Sequence, residues 1–154
     1  MKTRKHVKKQ NGGKKNRKAK LMQLLNNSYV RLAPSDTHGV GIRAVRDIPQ
    51  GVFPMPGVSN PNTILLSKEE VATLHPTTQK MIDDFWIAEN NGSYHVSEKG
   101  VNDLDIRFYI NHSETPNVKE VNTGNNFHEF ITLRPIKAGE ELLLNYNNRF
   151  DLSD

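Results

Sequence analysis

The feature that most limits the fold of this 154-residue chain is the shortness of its apolar runs. From residue 29 onward, each run ends after a few residues at Gly, Pro, Asn or Ser, which are residues that favour turns. Short runs of this kind are typical of strands. The pattern therefore predicts one α+β domain that is rich in β-structure. The predicted strands are 29–33, 63–66, 93–97, 106–110, 118–122, 127–134 and 142–144.

Positive charge is concentrated at the N-terminal end. Residues 1–20 contain ten Lys or Arg and no acidic residue. Because this segment has almost nothing to bury, it is predicted to be disordered, with a short helical linker following at 21–27. The other 11 Lys or Arg stand against 17 Asp or Glu, so residues 21–154 carry a formal charge of −6. The basic segment could bind nucleic acid, act as a nuclear address or only aid solubility.

Several classes of protein do not fit this composition. No apolar run approaches the ~20 residues of a membrane span, and no hydrophobic segment follows the charged N-terminus, so we predict a soluble protein without a secretory signal. The chain has no Cys, which excludes disulfides and thiolate zinc sites and fits an intracellular setting. No metal site is expected, because the spacing of ligands is missing around four of the histidines, His38, His75, His95 and His128.

A helical segment is predicted at about 67–90. Ser67 and Glu70 have the spacing of a capping box, and Pro76 fits the first turn of a second helix. That second helix would place four apolar side chains on one face, where packing into the core is the expected role. These side chains are Met81, Ile82, Phe85 and Trp86.

Two glycines separated by one residue, Gly39 and Gly41, mark a turn before a predicted strand. Glycine permits unusual backbone angles and the close approach of a ligand to the backbone. Taken alone, the pair is more typical of a structural turn. It is not a dinucleotide fingerprint, because a third glycine and a following helix are missing.

The predicted strand 106–110 runs into Asn111, His112 and Ser113 and then turns near Pro116. Amide, imidazole and hydroxyl groups at the edge of a core can bind a polar ligand, although an ordinary transition from strand to turn would also use such residues. A hydrolase site is a poorer interpretation, because adjacent side chains of a strand point to opposite faces.

Three separated stretches, taken together and in this order, resemble the SET-domain protein lysine methyltransferases. The first is the glycine turn at 38–44 with 47–51, the second is Asn-His-Ser-Glu-Thr-Pro-Asn at 111–117, and the third is 130–146, which contains Gly-Glu-Glu-Leu and ends at Tyr146. The resemblance covers about 28–148, with 67–90 in the place of the variable insert and 149–154 as a C-terminal tail. It implies small twisted sheets and a C-terminal pseudoknot.

The resemblance also implies an S-adenosylmethionine pocket. Tyr146 is the residue implied at the point of methyl transfer. Tyr109 and Leu144 are implied in the substrate channel, and Leu144 stands where the family often has Phe or Tyr, so the number of methyl groups added is left open. The implied cofactor-binding residues are His38, Gly39, Val40, Gly41, Asn111, His112, Tyr146 and Phe150, the last as a cover for the adenine.

The function implied is the transfer of a methyl group to the amine of a lysine in a basic protein such as a histone tail. An acidic domain attracts such a peptide. A nuclear or chromatin setting fits, including a host nucleus for a viral or bacterial member, and a cytoplasmic one is the alternative. Many nuclear members have a Cys-rich segment after the Tyr, and this chain lacks it. The competing interpretation is an inactive SET-like module that binds nucleic acid or chromatin through its basic segment.

Overall fold

The computed structural model describes residues 6–56, 62–122 and 128–148. The chain divides into two compact units, of which the first takes Met1–Gly57 and Tyr109–Asp154 and the second takes Val58–Phe108. Three α-helices and eight strands lie in the described residues. They are α1 (His6–Asn26), β1 (Val30–Pro34), β2 (Val40–Ala44), β3 (Thr63–Leu66), α2 (Lys68–Ala72), α3 (Pro76–Phe85), β4 (Tyr94–Ser97), β5 (Asn111–His112), β6 (Val118–Asn122), β7 (His128–Thr132) and β8 (Glu141–Leu144).

The first unit contains a four-stranded sheet in the order β1-β2-β8-β5. Strand β2 pairs antiparallel with both β1 and β8, whereas β5 runs parallel to β8. A separate antiparallel pair, β6 and β7, completes its β-structure. The fully buried side chains of this unit are mainly branched aliphatic ones, which pack well on a pleated surface. They include Ile42, Ile48, Val118, Ile136 and Leu142.

Asn117 ties the loop after β5 to strand β8. Its side chain is 1% exposed. Its amide nitrogen donates to the carbonyl of Glu141 at 2.7 Å, and its amide oxygen accepts from the N–H of Leu143 at 2.8 Å. The Asn117 N–H also donates to the Leu143 carbonyl. The last strand is thus held between β2 and the loop after β5, and this crossing forms the C-terminal pseudoknot.

Replacing Asn117 with Ala is expected to lower the free energy of unfolding by about 3 kcal/mol, because buried backbone groups of β8 lose their partners. Chemical denaturation monitored by circular dichroism measures this loss. Asn90→Ala, at an exposed position, is the matched control and should change stability by less than ~0.5 kcal/mol. Equal stability of the two variants would contradict the role of Asn117.

The second unit contains the antiparallel pair β3 and β4, with α2 and α3 in the connection between them. The predicted capping box is confirmed, since Ser67 Oγ accepts from the N–H of Glu70 and the Glu70 carboxylate accepts from the N–H of Ser67. Pro76 stands in the first turn of α3, as predicted. Ile82 and Trp86 are buried with Val71, and Phe85 packs against them. Three of the four predicted side chains therefore belong to the core of this unit, whereas Met81 is half-buried and Trp86 follows the last residue of α3.

The prediction of a strand at 106–110 is wrong. The chain forms a 3-10 helix at Ile106–Tyr109, and the strand that follows contains only Asn111 and His112. Asp105 explains the difference, because its carboxylate accepts from the N–H of Arg107 at 2.8 Å and binds the Arg107 guanidinium. Its carbonyl accepts from the N–H of Phe108. A side chain that bonds to nearby backbone in this way favours a turn over an extended strand.

The structure also differs from the prediction of disorder at the N-terminal end. Residues 6–20 belong to α1, which continues to Asn26 and includes most of the predicted helical linker. Lys, Arg, Ala, Leu and Met all have high helix propensity, and the segment has no Pro. Among its described side chains, only Leu24 is half-buried. Within the described residues, no helix is long and apolar enough to cross a membrane.

Candidate functional site

The turn between β1 and β2 is held by its own serine. Ser35 Oγ accepts from the N–H of Thr37 at 2.9 Å and from the N–H of His38 at 3.1 Å. The Ser35 N–H donates to the Gly39 carbonyl at 3.0 Å. Gly39 has a φ of 54°, a left-handed conformation that favours glycine. The result is a compact turn whose carbonyl groups are set by local hydrogen bonds.

The side-chain amide of Asn111 joins this turn to β5. Its nitrogen lies 3.1 Å from the carbonyl oxygen of His38 and 3.4 Å from that of Val40. The same nitrogen lies 3.0 Å from Ser35 Oγ and 2.9 Å from Glu141 Oε1. An amide has two N–H groups, so these four acceptors share them. Asn111 therefore fixes the glycine turn against the sheet.

Glu141 is the charged centre of this arrangement and was not among the predicted site residues. It is 7% exposed, and its Oε1 accepts from Ser35 Oγ at 2.7 Å as well as from Asn111. Arg43 lies 3.8 Å from its other oxygen. A buried carboxylate needs such partners to offset desolvation. The signal in the sequence was the Gly-Glu-Glu-Leu run, which was used only as part of a motif.

Gly41 leaves the space that the Glu141 carboxylate occupies. A Cβ added there would lie 2.2 Å from Glu141 Oε1 and 3.0 Å from the Asn111 amide nitrogen. At Gly39, by contrast, an added Cβ would meet no heavy atom within 4 Å. The two glycines of the motif thus serve different needs. Gly39 supplies a backbone angle, and Gly41 leaves room for a side chain of the protein.

Tyr146 lies against the segment that contains Asn111. Its hydroxyl donates to the carbonyl of Ile110, and its N–H donates to His112 Nδ1 at 3.1 Å. The two rings have centroids 5.2 Å apart with an interplanar angle of 53°. Tyr146 is 42% exposed. Its phenol therefore sits at the surface of the first unit, beside the residue that precedes Asn111.

The remaining predicted residues are placed as follows. His38 and Val40 are exposed on the turn, and Tyr109 is half-buried. Leu144 is 3% exposed and belongs to the core of the first unit. Phe150 lies outside the described residues. The turn 38–41, Asn111, His112 and Tyr146 are brought together, although they come from three separate stretches of sequence.

Glu140, next to Glu141, titrates below the ordinary range of a glutamate. Its hydrogen bond from Arg134 is the largest cause of the lowered pKa, and the Lys137 N–H and the Asn117 amide act in the same direction. A folded-state pKa below the unfolded value of ~4.3 stabilises the fold above that pH. This contribution is lost as the pH falls through the folded-state pKa.

The free energy of unfolding of Glu140→Gln should therefore decline less steeply as the pH falls. We expect the variant to be less stable than the unmodified chain at pH 7, with the difference shrinking as the pH falls below about 4. Urea denaturation between pH 3 and pH 7 measures both curves. Glu69→Gln, at an exposed site in the first turn of α2, is the control. A constant difference across the whole range would show that the Glu140 charge does not stabilise the fold.

Comparisons with known proteins gave one family match and similar solved structures. The sequence model of the SET domain matches residues 39–147. A Chaetomium thermophilum Polycomb Repressive Complex 2 structure, a humanized mutant bound to the inhibitor GSK126, is 26% identical with a TM-score of 0.51. That match covers 80% of this chain and 15% of the other. A Plasmodium falciparum protein described as a histone methyltransferase is 18% identical, with a TM-score of 0.47 and coverage of 77% and 93%. No curated protein gives a significant match.

The fold and the matched residues define a class of protein. Small sheets, few helices and a C-terminal pseudoknot are the SET-domain architecture, and the sequence model spans most of the described chain. This chain belongs to the SET-domain family, whose members are generally protein-lysine methyltransferases that use S-adenosylmethionine. The predicted fold class and the predicted family are both confirmed.

Proposed function

We propose that this chain is an S-adenosylmethionine-dependent protein-lysine methyltransferase. The observation that carries the proposal is the junction of the glycine turn, Asn111 and Tyr146. The Asn111 amide binds the carbonyls of the turn, and the Tyr146 hydroxyl binds the carbonyl of the preceding residue, Ile110. A methyl transfer is a displacement in line, so its main demand on a protein is to align the reacting groups. Three stretches fixed to one another by hydrogen bonds meet that demand.

The residues present fit a cofactor of this kind. The space beside Gly39 is open, and Val40 is 46% exposed, so a ligand can approach the backbone of the turn. We propose that His38, Gly39, Val40 and Gly41 line the pocket with Asn111 and with the backbone of His112. When bound, S-adenosylmethionine supplies a methyl group on a sulfonium, which needs no metal or covalent intermediate. The Asn111 amide nitrogen is engaged with the turn, so its part is to hold the wall of the pocket.

Tyr146 has the geometry to orient an acceptor amine. Since its hydroxyl proton is donated to the Ile110 carbonyl, its oxygen keeps lone pairs that can accept an N–H from the amine. The acceptor must be unprotonated, although a free lysine has a pKa near 10.4. An apolar channel would lower that pKa by desolvation, and a nearby positive charge would lower it further. Tyr146 therefore acts as a positioning group for the amine, and we assign it no role as a base.

We propose a basic protein, such as a histone tail, as the substrate. The formal charge of −6 on residues 21–154 favours a positively charged peptide over an acidic one. This attraction is screened by salt, so the KM for a basic peptide should rise with ionic strength.

Radiolabel transfer tests the proposed activity. The full chain is incubated with S-adenosylmethionine carrying a labelled methyl group and with core histones, and the label on histone lysines is measured. We expect transfer that is saturable in the cofactor and absent after heat denaturation. An absence of label on histones and on every protein of a basic-protein panel, from a chain with a folded circular dichroism spectrum, would contradict the proposal and favour the binding module.

The exposed basic side chains of α1 support a second property, which is binding of nucleic acid. Lys14, Lys15, Arg17, Lys18 and Lys20 are all exposed, and α1 contains no acidic residue. Each phosphate that such a residue neutralises contributes about −0.9 to the slope of log K against log salt for duplex DNA. We propose that α1 holds nucleic acid or chromatin near the domain through this counterion release.

Deleting residues 1–20 should weaken duplex DNA binding at least tenfold at low salt and reduce its dependence on salt, because ten positive charges are removed. Turnover of a short lysine peptide should stay within about threefold, since the proposed pocket lies at 38–41, 111–112 and 146. Fluorescence anisotropy at several salt concentrations measures the first effect and a peptide assay the second. DNA binding that is undiminished would assign it to another surface.

A further inference from the structure

We propose that His112 and Glu114 form a pair that positions Tyr146, with the neutral imidazole as the state that holds it. This inference rests on the proposed function, because it concerns the presentation of the Tyr146 hydroxyl. It adds Glu114 to the site and gives the His112 side chain a task of its own. The observations are three hydrogen bonds and one ring contact within the first unit.

The two nitrogens of the His112 ring have different partners. Nδ1 accepts the N–H of Tyr146 at 3.1 Å, and Nε2 lies 2.9 Å from Glu114 Oε1. A backbone N–H can only donate and a carboxylate can only accept. Nδ1 must therefore keep its lone pair, and the single proton of the neutral ring must be on Nε2. Glu114 thus selects the tautomer that receives Tyr146.

Two hydrogen bonds fix Tyr146, one at its backbone N–H and one at its side-chain hydroxyl. The N–H is held by the imidazole, and the hydroxyl is held by the Ile110 carbonyl. The imidazole also packs beside the phenol ring, with the centroids 5.2 Å apart. Since His112 and Ile110 belong to the same short stretch, the phenol is aligned to the segment that carries Asn111. An error in the position of Tyr146 would misplace the acceptor amine.

Protonation of His112 would break the arrangement. An imidazolium carries a proton on both nitrogens. The Nδ1–H and the Tyr146 N–H would then be two donors pointing at each other, with no acceptor between them. Among the residues that the structure describes, Glu114 is the charged group in hydrogen-bond contact with the ring, and the Tyr146 phenol is a second titratable group beside it. Asn145 and Asn147, which lie 3.4 Å from the Glu114 carboxylate, are neutral. The bond from the Tyr146 N–H therefore requires the neutral ring.

Two substitutions at His112 separate the imidazole acceptor from general packing. His112→Asn can place an amide oxygen near the position of Nδ1, whereas His112→Ala offers no acceptor. We expect kcat to fall at least tenfold in His112→Ala, with the KM for S-adenosylmethionine changed less than threefold, and His112→Asn to recover most of the loss. Equal kcat values for the two variants, or a loss confined to KM, would overturn the proposal.

His75 provides the matched control. Its Nδ1 also accepts a backbone N–H, that of Thr77 at the start of α3 in the second unit. His75→Ala should lower the thermal midpoint without changing kcat, because it removes the same type of bond from a residue that is not part of the proposed site. If His75→Ala lowered kcat as much as His112→Ala does, the fall in kcat of His112→Ala would be explained by lost stability and not by the position of Tyr146.

A spectroscopic measurement tests the tautomer of His112 without an activity assay. Nitrogen-15 spectra of the full chain with labelled histidine distinguish the two tautomers, and His112→Asn identifies the relevant signal among the six histidines. We expect the Nε2–H tautomer at pH 8 in the unmodified chain. Glu114→Ala should raise the share of the Nδ1–H tautomer, because the acceptor of the Nε2 proton is removed.

The outcomes are distinguishable from failure of the methyltransferase proposal. A chain that methylates no substrate and yet shows the Nε2–H tautomer leaves the pair intact and overturns the activity. An active chain with the Nδ1–H tautomer at His112, or with a tautomer population that Glu114→Ala does not change, overturns the pair.

Discussion

Tyr146→Phe should reduce kcat for methyl transfer by about 100-fold or more, while the KM for S-adenosylmethionine changes little. The substitution keeps the ring beside His112 and removes only the hydroxyl that bonds the Ile110 carbonyl. Loss of that oxygen leaves an acceptor amine without the group proposed to orient it. The measurement is steady-state transfer of labelled methyl groups to a histone peptide.

Stability is the necessary control for this variant. Losing one hydrogen bond should cost about 1 kcal/mol, which leaves the chain folded. Tyr29→Phe is the matched substitution, since Tyr29 lies under the Arg46 guanidinium, 4.1 Å from ring centroid to carbon, and keeps that contact as Phe. We expect full activity from it. If kcat of Tyr146→Phe stays within threefold of the unmodified chain, Tyr146 is not at the point of transfer.

Gly41→Ala should disrupt the site by a different route and lower the free energy of unfolding by about 3 kcal/mol. The new Cβ would lie 2.2 Å from Glu141 Oε1, the atom that Ser35 and Asn111 both bind. To relieve the clash, the carboxylate must move and lose those partners in a buried place. The affinity for S-adenosylmethionine should fall more than tenfold, because the turn loses its connection to β5.

The free energies of unfolding of Gly39→Ala and Gly13→Ala are the comparison for Gly41→Ala. At Gly39 the added Cβ meets nothing, so the cost is the left-handed backbone alone, about 1 kcal/mol. At Gly13, inside α1, Ala should be neutral or stabilise the chain by up to about 1 kcal/mol. Thermal denaturation and titration calorimetry of the three variants measure the series. A Gly41→Ala variant as stable as Gly13→Ala would show that Glu141 can move freely.

In the second unit, residues at the helix starts correctly predicted where α2 and α3 begin. Ser67, Glu70 and Pro76 act within one turn of the helices that they begin, so their effect depends on no distant residue. The predicted strand at 106–110 failed for a related reason. Asp105 makes a local bond to the backbone of Arg107, and this bond decides the conformation of a stretch whose apolar residues suggested a strand.

Long-range contacts explain what the sequence did not predict about the site. Glu141 is 30 positions from Asn111 and 106 from Ser35 along the chain, so no periodicity links them. In the structure the side chain of Glu141 lies against Gly41, a contact that the motif did not indicate. The motif indicated which residues matter. It could not indicate that one buried carboxylate connects them.

The central claim is that the turn 38–41, Asn111 and Tyr146 form a pocket for S-adenosylmethionine, and isothermal titration calorimetry of the full chain tests it most directly. We expect saturable binding of one S-adenosylmethionine per chain, no comparable heat with ATP, and binding weakened more than tenfold in Gly41→Ala. A folded chain that gives no saturable heat with S-adenosylmethionine would contradict the account.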